Sequence, residues 1–160
     1  MVKLKIGRLM AAIIICQLAG IIGSVFTLQS IPSWYATLVK PSFAPPNWLF
    51  GPVWITLYTL MGISLYLVWD KGFKKKENKI ALYIFAAQLA LNAMWSVVFF
   101  GLKSTFYGLM TIVVLWIAIA ATIISFYKIS KKAAWLLVPY ITWVSIATVL
   151  NFYIWQLNFG

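Results

Sequence analysis

The 160-residue chain contains no histidine, one cysteine (Cys16) and only two acidic residues, Asp70 and Glu77. With a single cysteine, neither an intrachain disulfide nor a thiolate metal cluster can form. Without histidine, the chain also lacks the commonest general base and metal ligand. Both carboxylates fall in one short basic segment at positions 70–79. We therefore expect no metal site, no cofactor and no acid–base or nucleophilic catalytic centre.

Charged residues of any kind are scarce. They make up 9% of the chain, whereas hydrophobic residues make up 64%; soluble domains carry roughly 25% charged residues. Five runs without a charge are each long enough to cross a bilayer as a helix. They span residues 9–28, 48–69, 80–102, 106–127 and 133–157. The sequence therefore predicts an all-α integral membrane protein, a single domain over residues 1–160 folded as a bundle of five transmembrane helices in the lipid bilayer.

The basic residues lie between these runs and are unevenly distributed. Eleven of the 13 lysines and arginines fall on the side of the N-terminus, and only Lys40 and Lys103 fall on the other. The positive-inside rule then predicts a cytoplasmic N-terminus, with the C-terminus and the first long loop on the opposite side. A nucleic-acid surface would need basic residues interleaved within one folded face. We therefore expect a membrane partner and no nucleic acid.

The basic start followed by the run 9–28 also fits a cleaved signal peptide. The run is longer than the usual signal core of roughly 7–15 residues, and no convincing cleavage box follows it. A first transmembrane helix is the better interpretation.

The first long loop, residues 29–47, is rich in proline. Pro32, Pro41, Pro45 and Pro46 interrupt it, and each removes a backbone N–H and restrains the residue before it. A continuous helix is therefore excluded, although a short helix across Ser33–Val39 fits the pattern. We predict that this loop forms a lid over the end of the bundle.

Amides and deep aromatic residues recur at helical spacing within three runs. They are Trp54 and Tyr58 in the second run, Gln88, Asn92, Trp95 and Phe99 in the third, and Trp143, Ala147 and Asn151 in the fifth. Amides in lipid must point inward and find partners, so these faces should converge on the bundle interior. Two interpretations remain open: hydrogen bonding between helices alone, or an aromatic pocket with a few polar anchors. Such a pocket would hold a large, flat, apolar small molecule.

Several segments together resemble one known family. They are WYATLVKPSFAPPNWLFGPVW, LYTLMGISLYLVW, QLALNAMWSVVFFG and PYITWVSIATVLNFYIWQLN, which begin at Trp34, Leu57, Gln88 and Pro139. They are similar to segments of the translocator protein, or tryptophan-rich sensory protein, family. The resemblance implies a five-helix bundle, a homodimer, and a first loop that covers a pocket between helices.

The resemblance also implies a ligand and the residues that hold it. Trp54 and Trp143 match the two tryptophans that are implicated in porphyrin breakdown in this family. The family's pocket positions are matched by Tyr35, Pro45, Asn92, Trp95, Ala147 and Asn151. We therefore expect a bacterial-type member in the cytoplasmic membrane. It would be a receptor or sensor for porphyrin-type tetrapyrroles such as protoporphyrin IX, with a transport or regulatory role.

Two other functions follow from the same resemblance. One is an enzyme that degrades porphyrins in a light- and oxygen-dependent reaction. The other is a transporter for sterols or lipids. The sterol-recognition pattern of animal members keeps Leu150 and Tyr153 here, but Phe152 and Gln156 replace its tyrosine and arginine. Sterol transport is therefore the weakest of the three.

Overall fold

The computed structural model describes residues 5–159 of the chain. The first four residues of the basic N-terminal segment and residue 160 lie outside this range. The helices are α1 (Ile6–Ser30), α2 (Trp34–Thr37), α3 (Asn47–Trp69), α4 (Lys76–Ser96), α5 (Thr105–Ile129), α6 (Lys131–Leu136) and α7 (Val138–Asn158). Within the described range, five segments are long and apolar enough to cross a membrane: α1, α3, α4 with its extension to Gly101, α5, and α6 together with α7. This confirms the predicted all-α, five-helix fold.

The helices pack in a ring. Helix α1 contacts α3 and α4, α4 contacts α5, α5 contacts α7, and α6 returns to α3. Glycines allow α1 to pack closely. A Cβ at Gly20 would overlap the Tyr58 ring, and one at Gly23 would lie 2.9 Å from the Ser96 hydroxyl oxygen. A Cβ at Gly62 on α3 would meet the α1 backbone, so these small residues serve contacts within the bundle.

A π-helical turn over Val97–Gly101 ends the third span. The Leu102 N–H donates to the Val97 carbonyl at 2.8 Å and closes this wide turn. Phe99 and Phe100, both in the turn, are buried, with 2% and 5% of their surface exposed. The link from this turn to α5 is short, as the gap between the predicted runs 80–102 and 106–127 indicates. Helices α4 and α5 pack against each other.

The fifth span is interrupted, whereas the sequence predicts one uncharged run over residues 133–157. Helix α6 ends at Leu136 and α7 begins at Val138. Pro139 explains the break, because it has no N–H to donate and restrains the residue before it. Helix α6 is fixed to α3 by a buried hydrogen bond from the Ser64 hydroxyl to the Ala133 carbonyl at 2.7 Å.

The first loop, residues 31–46 in the structure, contains the predicted short helix as α2. The Asn158 side chain at the end of α7 fastens this loop. Its Oδ1 accepts from the Val39 N–H at 3.0 Å, and its Nδ2 donates to the Val39 carbonyl at 2.9 Å. The loop is thus tied to the last span.

Charged side chains meet at the opposite end of the bundle. Lys5 Nζ lies 2.9 Å from the Asp70 carboxylate, and Arg8 Nη1 lies 3.5 Å from the same oxygen. The Lys5 ammonium, by its hydrogen bond, holds the pKa of the Asp70 carboxyl below its usual value. Asp70, which directly follows α3, is therefore linked to the start of α1.

Candidate functional site

An aromatic cluster fills the bundle interior beneath the first loop. We define it as Tyr35, Phe50, Trp54, Tyr58, Trp95, Phe99, Phe100, Tyr140 and Trp143. Trp54 stacks on Tyr58 with ring centroids 5.5 Å apart, and Trp95 stacks on Phe99 at the same distance. The loop contributes Tyr35, whose ring lies 5.7 Å from that of Phe100. The first loop, α3, α4 with its π-helical turn, and α7 all contribute rings. The rings make two groups of contacts: Trp54 with Tyr58 and Tyr140, and the other six rings with one another.

A cavity of about 500 Å³ adjoins this cluster between α1, α3 and α4. Trp54, Tyr58 and Trp95 from the predicted site line it, and so do Phe50 and Phe100. The remaining predicted residues do not line it: Tyr35, Pro45, Asn92, Trp143, Ala147 and Asn151.

The α1 wall of this cavity was missed by the sequence reasoning. Gly20, Ser24 and Thr27 line it, and Ile31 lines the cavity directly after the end of the helix. The spacing of four between Gly20 and Ser24 is the one sequence feature that points to this part of α1. Small residues at that spacing are typical of close helix contacts, and in this bundle such a contact also borders the cavity.

A buried chain of hydrogen bonds crosses the bundle next to the cavity. The Tyr58 hydroxyl donates to Asn92 Oδ1. Asn92 Nδ2 donates to the Tyr140 hydroxyl at 2.8 Å, and that hydroxyl donates to Gln88 Oε1 at 2.9 Å. The chain joins α3, α4 and α7 and fixes the tyrosine on which Trp54 stacks.

Asn151 likewise forms hydrogen bonds through both ends of its amide. Its Oδ1 accepts from the Trp95 indole N–H at 3.3 Å, and its Nδ2 donates to the Thr105 carbonyl at 2.9 Å. Both asparagines of the predicted site therefore form hydrogen bonds between helices, one of the two interpretations left open. Ala147 is buried one turn before Asn151 on α7, and Pro45 is half-buried in the first loop.

Two other predicted residues carry polar atoms without a partner. The Tyr35 hydroxyl and the Trp143 indole N–H are buried, and neither forms a hydrogen bond within residues 5–159. They flank one ring, because Phe50 lies 6.5 Å from Tyr35 and 6.1 Å from Trp143, centroid to centroid. Burial raises the pKa of the Tyr35 hydroxyl, so that group remains a donor at neutral pH. The site thus holds two buried donors that a ligand oxygen could satisfy.

Comparison with known proteins agrees with this architecture. The TspO/MBR family matches residues 12–156 of the chain. The chain is 49% identical to the tryptophan-rich protein TspO of Chlorobaculum tepidum over 90% of its own length and 91% of the relative's. It is 46% identical to the protein of the same name from Archaeoglobus fulgidus, over 97% and 99% of the two chains. The translocator protein of Homo sapiens is 41% identical over 90% of this chain and 86% of its own. The chain is therefore an integral membrane protein of the TspO/MBR family.

Proposed function

We propose that this protein is a membrane receptor or sensor that binds porphyrin-type tetrapyrroles, such as protoporphyrin IX, in its aromatic interior. The cavity of about 500 Å³ beside Trp54, Tyr58 and Trp95 carries the proposal. Its volume is in the range of small-molecule sites, roughly 300–1,000 Å³. Aromatic walls favour a flat aromatic ligand, because offset stacking adds to the burial of apolar surface.

The unpaired donors support the same ligand class. An unsatisfied buried donor costs about 1–3 kcal/mol. A ligand with oxygen acceptors at its edge would remove that cost at Tyr35 or Trp143. The first loop acts as the lid in this proposal, since it contributes Tyr35 to the cluster and covers the same end of the bundle.

Titration of the purified full chain with protoporphyrin IX in detergent micelles tests the proposal. Quenching of tryptophan fluorescence and a shift of the porphyrin Soret band should report binding at micromolar concentration. Trp54→Ala should weaken binding about tenfold, the loss expected for one stacking partner and its buried area. Trp135→Ala is the matched control, because Trp135 is 67% exposed on α6. Absence of binding to the unmodified protein at micromolar concentration would overturn the proposal.

A second function, light- and oxygen-dependent degradation of the bound porphyrin, is favoured by the position of Trp54 at the cavity. Trp143 belongs to the same cluster through Phe50. Oxidation of an indole by a light-excited porphyrin and oxygen requires no acid–base pair. Illumination in air of the protein–protoporphyrin complex, with dark, anaerobic and protein-free samples as controls, tests it. Full degradation by both Trp54→Phe and Trp143→Phe would exclude these residues from the reaction.

The charge distribution supports a cytoplasmic N-terminus, with the first loop on the other side of the membrane. The broken sterol pattern at Phe152 and Gln156 supports a bacterial cytoplasmic membrane. Cysteines introduced at Ser42 and Lys74 should then react with an impermeant reagent from opposite sides of the membrane. Cys16 gives no background, since it is fully buried. Labelling of both positions from one side would contradict this topology.

The family resemblance supports a homodimer. A monomeric mass for the protein in lipid nanodiscs would contradict the homodimer.

A further inference from the structure

Lys40 is held over the aromatic cluster by the first loop itself. Its ammonium donates to the Tyr35 carbonyl at 2.8 Å and to the Leu38 carbonyl at 2.9 Å. The same nitrogen lies 4.8 Å from the centroid of the Tyr35 ring, within the range of a cation–π contact. An ammonium has three N–H donors, so one donor remains after these two hydrogen bonds.

No carboxylate side chain neutralises Lys40. Asp70 follows the end of α3 that points away from the first loop, and Glu77 lies in the first turn of α4 on that same side. Among the described residues, Lys40 forms no ion pair. The loops at its end of the bundle carry Lys40 and Lys103 and no acidic residue. An anion approaching the first loop therefore meets a positive charge that no described carboxylate side chain compensates.

Tyr35 connects this charge to the cavity. One face of its ring receives Lys40, and its ring also contacts Phe50 and Phe100 at 6.5 and 5.7 Å. Both phenylalanines line the cavity. Lys40 is thus separated from the cavity wall by a single aromatic ring.

The polar groups that remain available around this ring can all donate a hydrogen bond, and only the Tyr35 hydroxyl can also accept one. They are the third N–H of Lys40, the Tyr35 hydroxyl and the Trp143 indole N–H. An ammonium and an indole N–H cannot accept a hydrogen bond at all. The interior amide oxygens each already accept one hydrogen bond within the protein: Gln88 from Tyr140, Asn92 from Tyr58 and Asn151 from Trp95. A ligand that matches these donors carries hydrogen-bond acceptors, above all a carboxylate.

We propose that Lys40 is the carboxylate anchor of the site, so that the protein selects acidic tetrapyrroles over their neutral counterparts. The inference rests on the proposed porphyrin-binding function. The ligand ring stacks against the aromatic cluster, and a peripheral carboxylate receives a charge-assisted hydrogen bond from Lys40 at the first loop. Tyr35 provides a second donor beside it.

Protoporphyrin IX and its dimethyl ester form the test, because the two share one ring system and differ in their carboxylates. Both are titrated into the full chain in nanodiscs of phosphatidylcholine, a zwitterionic lipid without net charge. We expect the acid to bind more tightly than the ester. Lys40→Met should weaken binding of the acid about tenfold, the size expected for one charge-assisted hydrogen bond, and leave binding of the ester within twofold. Lys40→Arg should keep the preference for the acid, and so should Lys103→Met, which removes the other cation at this end.

The outcomes separate the anchor from other roles of Lys40. If Lys40→Met weakens acid and ester equally, Lys40 only fixes the fold of the first loop and the inference is wrong. If the unmodified protein binds both ligands equally well, the inference is wrong and the porphyrin site stands. If it binds neither ligand, the proposed function itself fails.

Discussion

Removal of the Asn92 amide should destabilise the bundle in a way that only the hydrogen-bond chain explains. Asn92 is 1% exposed and is bonded to Tyr58 and Tyr140. Asn92→Leu keeps the number and branching of the side-chain heavy atoms and removes both bonds. The Tyr140 hydroxyl retains Gln88, whereas no other partner of the Tyr58 hydroxyl exists in the described chain.

The expected loss of stability follows from the different fates of the two tyrosine hydroxyls. Leaving the Tyr58 hydroxyl unsatisfied costs about 1–3 kcal/mol. Loss of the bond to Tyr140 adds about 0.6 kcal/mol, the average for side-chain hydrogen bonds in a membrane protein. We therefore expect Asn92→Leu to lower the free energy of unfolding by about 2–4 kcal/mol. Tyr58→Phe should cost about 1–3 kcal/mol, since it leaves Asn92 Oδ1 without its donor.

The double variant distinguishes this reasoning from loss of packing. Tyr58→Phe removes the hydroxyl that Asn92→Leu leaves unsatisfied, so the two changes together should cost about 1–2 kcal/mol less than the sum of the single changes. Equilibrium unfolding in mixed micelles with increasing dodecyl sulfate, followed by helical circular dichroism, measures each value. Tyr83→Phe is the control, because Tyr83 is 74% exposed. Additive costs would refute the hydrogen-bond chain as a stabilising unit.

Three further changes probe other contacts. Gly62→Ala should lower the free energy of unfolding by about 1–3 kcal/mol, because the new methyl group meets the α1 backbone; Gly51→Ala, where the added atom meets nothing within 4 Å, should show no such loss in the same assay. Asp70→Asn should lower the Tm at neutral pH. Because the pKa of Asp70 is depressed, its contribution is present above the usual carboxyl pKa of about 3.9 and disappears as the pH falls through the lower folded value. The Tm difference from the unmodified protein should therefore vanish in acid, and a constant difference would contradict the ion pair. Asn158→Ala removes both hydrogen bonds to Val39 and should speed amide hydrogen exchange throughout residues 31–46, measured by mass spectrometry; unchanged exchange would show that Asn158 does not fasten the loop.

The five helices could be predicted because each uncharged run has the length of a bilayer span. Local irregularities of the helices could not be predicted, because they leave no periodic pattern in the sequence. The break at Leu137 follows from Pro139, but proline is tolerated inside many membrane helices, so its presence alone does not fix a break. Nothing in the letters VVFFG distinguishes a π-helical turn from the last turn of an α-helix.

The sequence predicted which helix faces form the site, but not which side chains form hydrogen bonds with each other. Helical spacing correctly indicated that Gln88, Asn92 and Trp95 look inward together. It could not show that Asn92 bonds Tyr58 and Tyr140, because the register between helices depends on three-dimensional packing. The cavity wall on α1 was missed for a related reason: glycine and serine at a spacing of four mark a close contact and do not reveal the space beside it.

The π-helical turn has a consequence for how this architecture could arise or be lost. A π-helical turn is equivalent to one extra residue inserted into an α-helix, and one residue corresponds to about 100° of rotation around the axis. Deleting a single residue between Val97 and Gly101 would return the segment to an ordinary helix and rotate its end relative to the preceding turns. Phe99 and Phe100, which support Tyr35 of the first loop, would then leave their places. The fit between bundle and loop thus depends on a length difference of one amino acid.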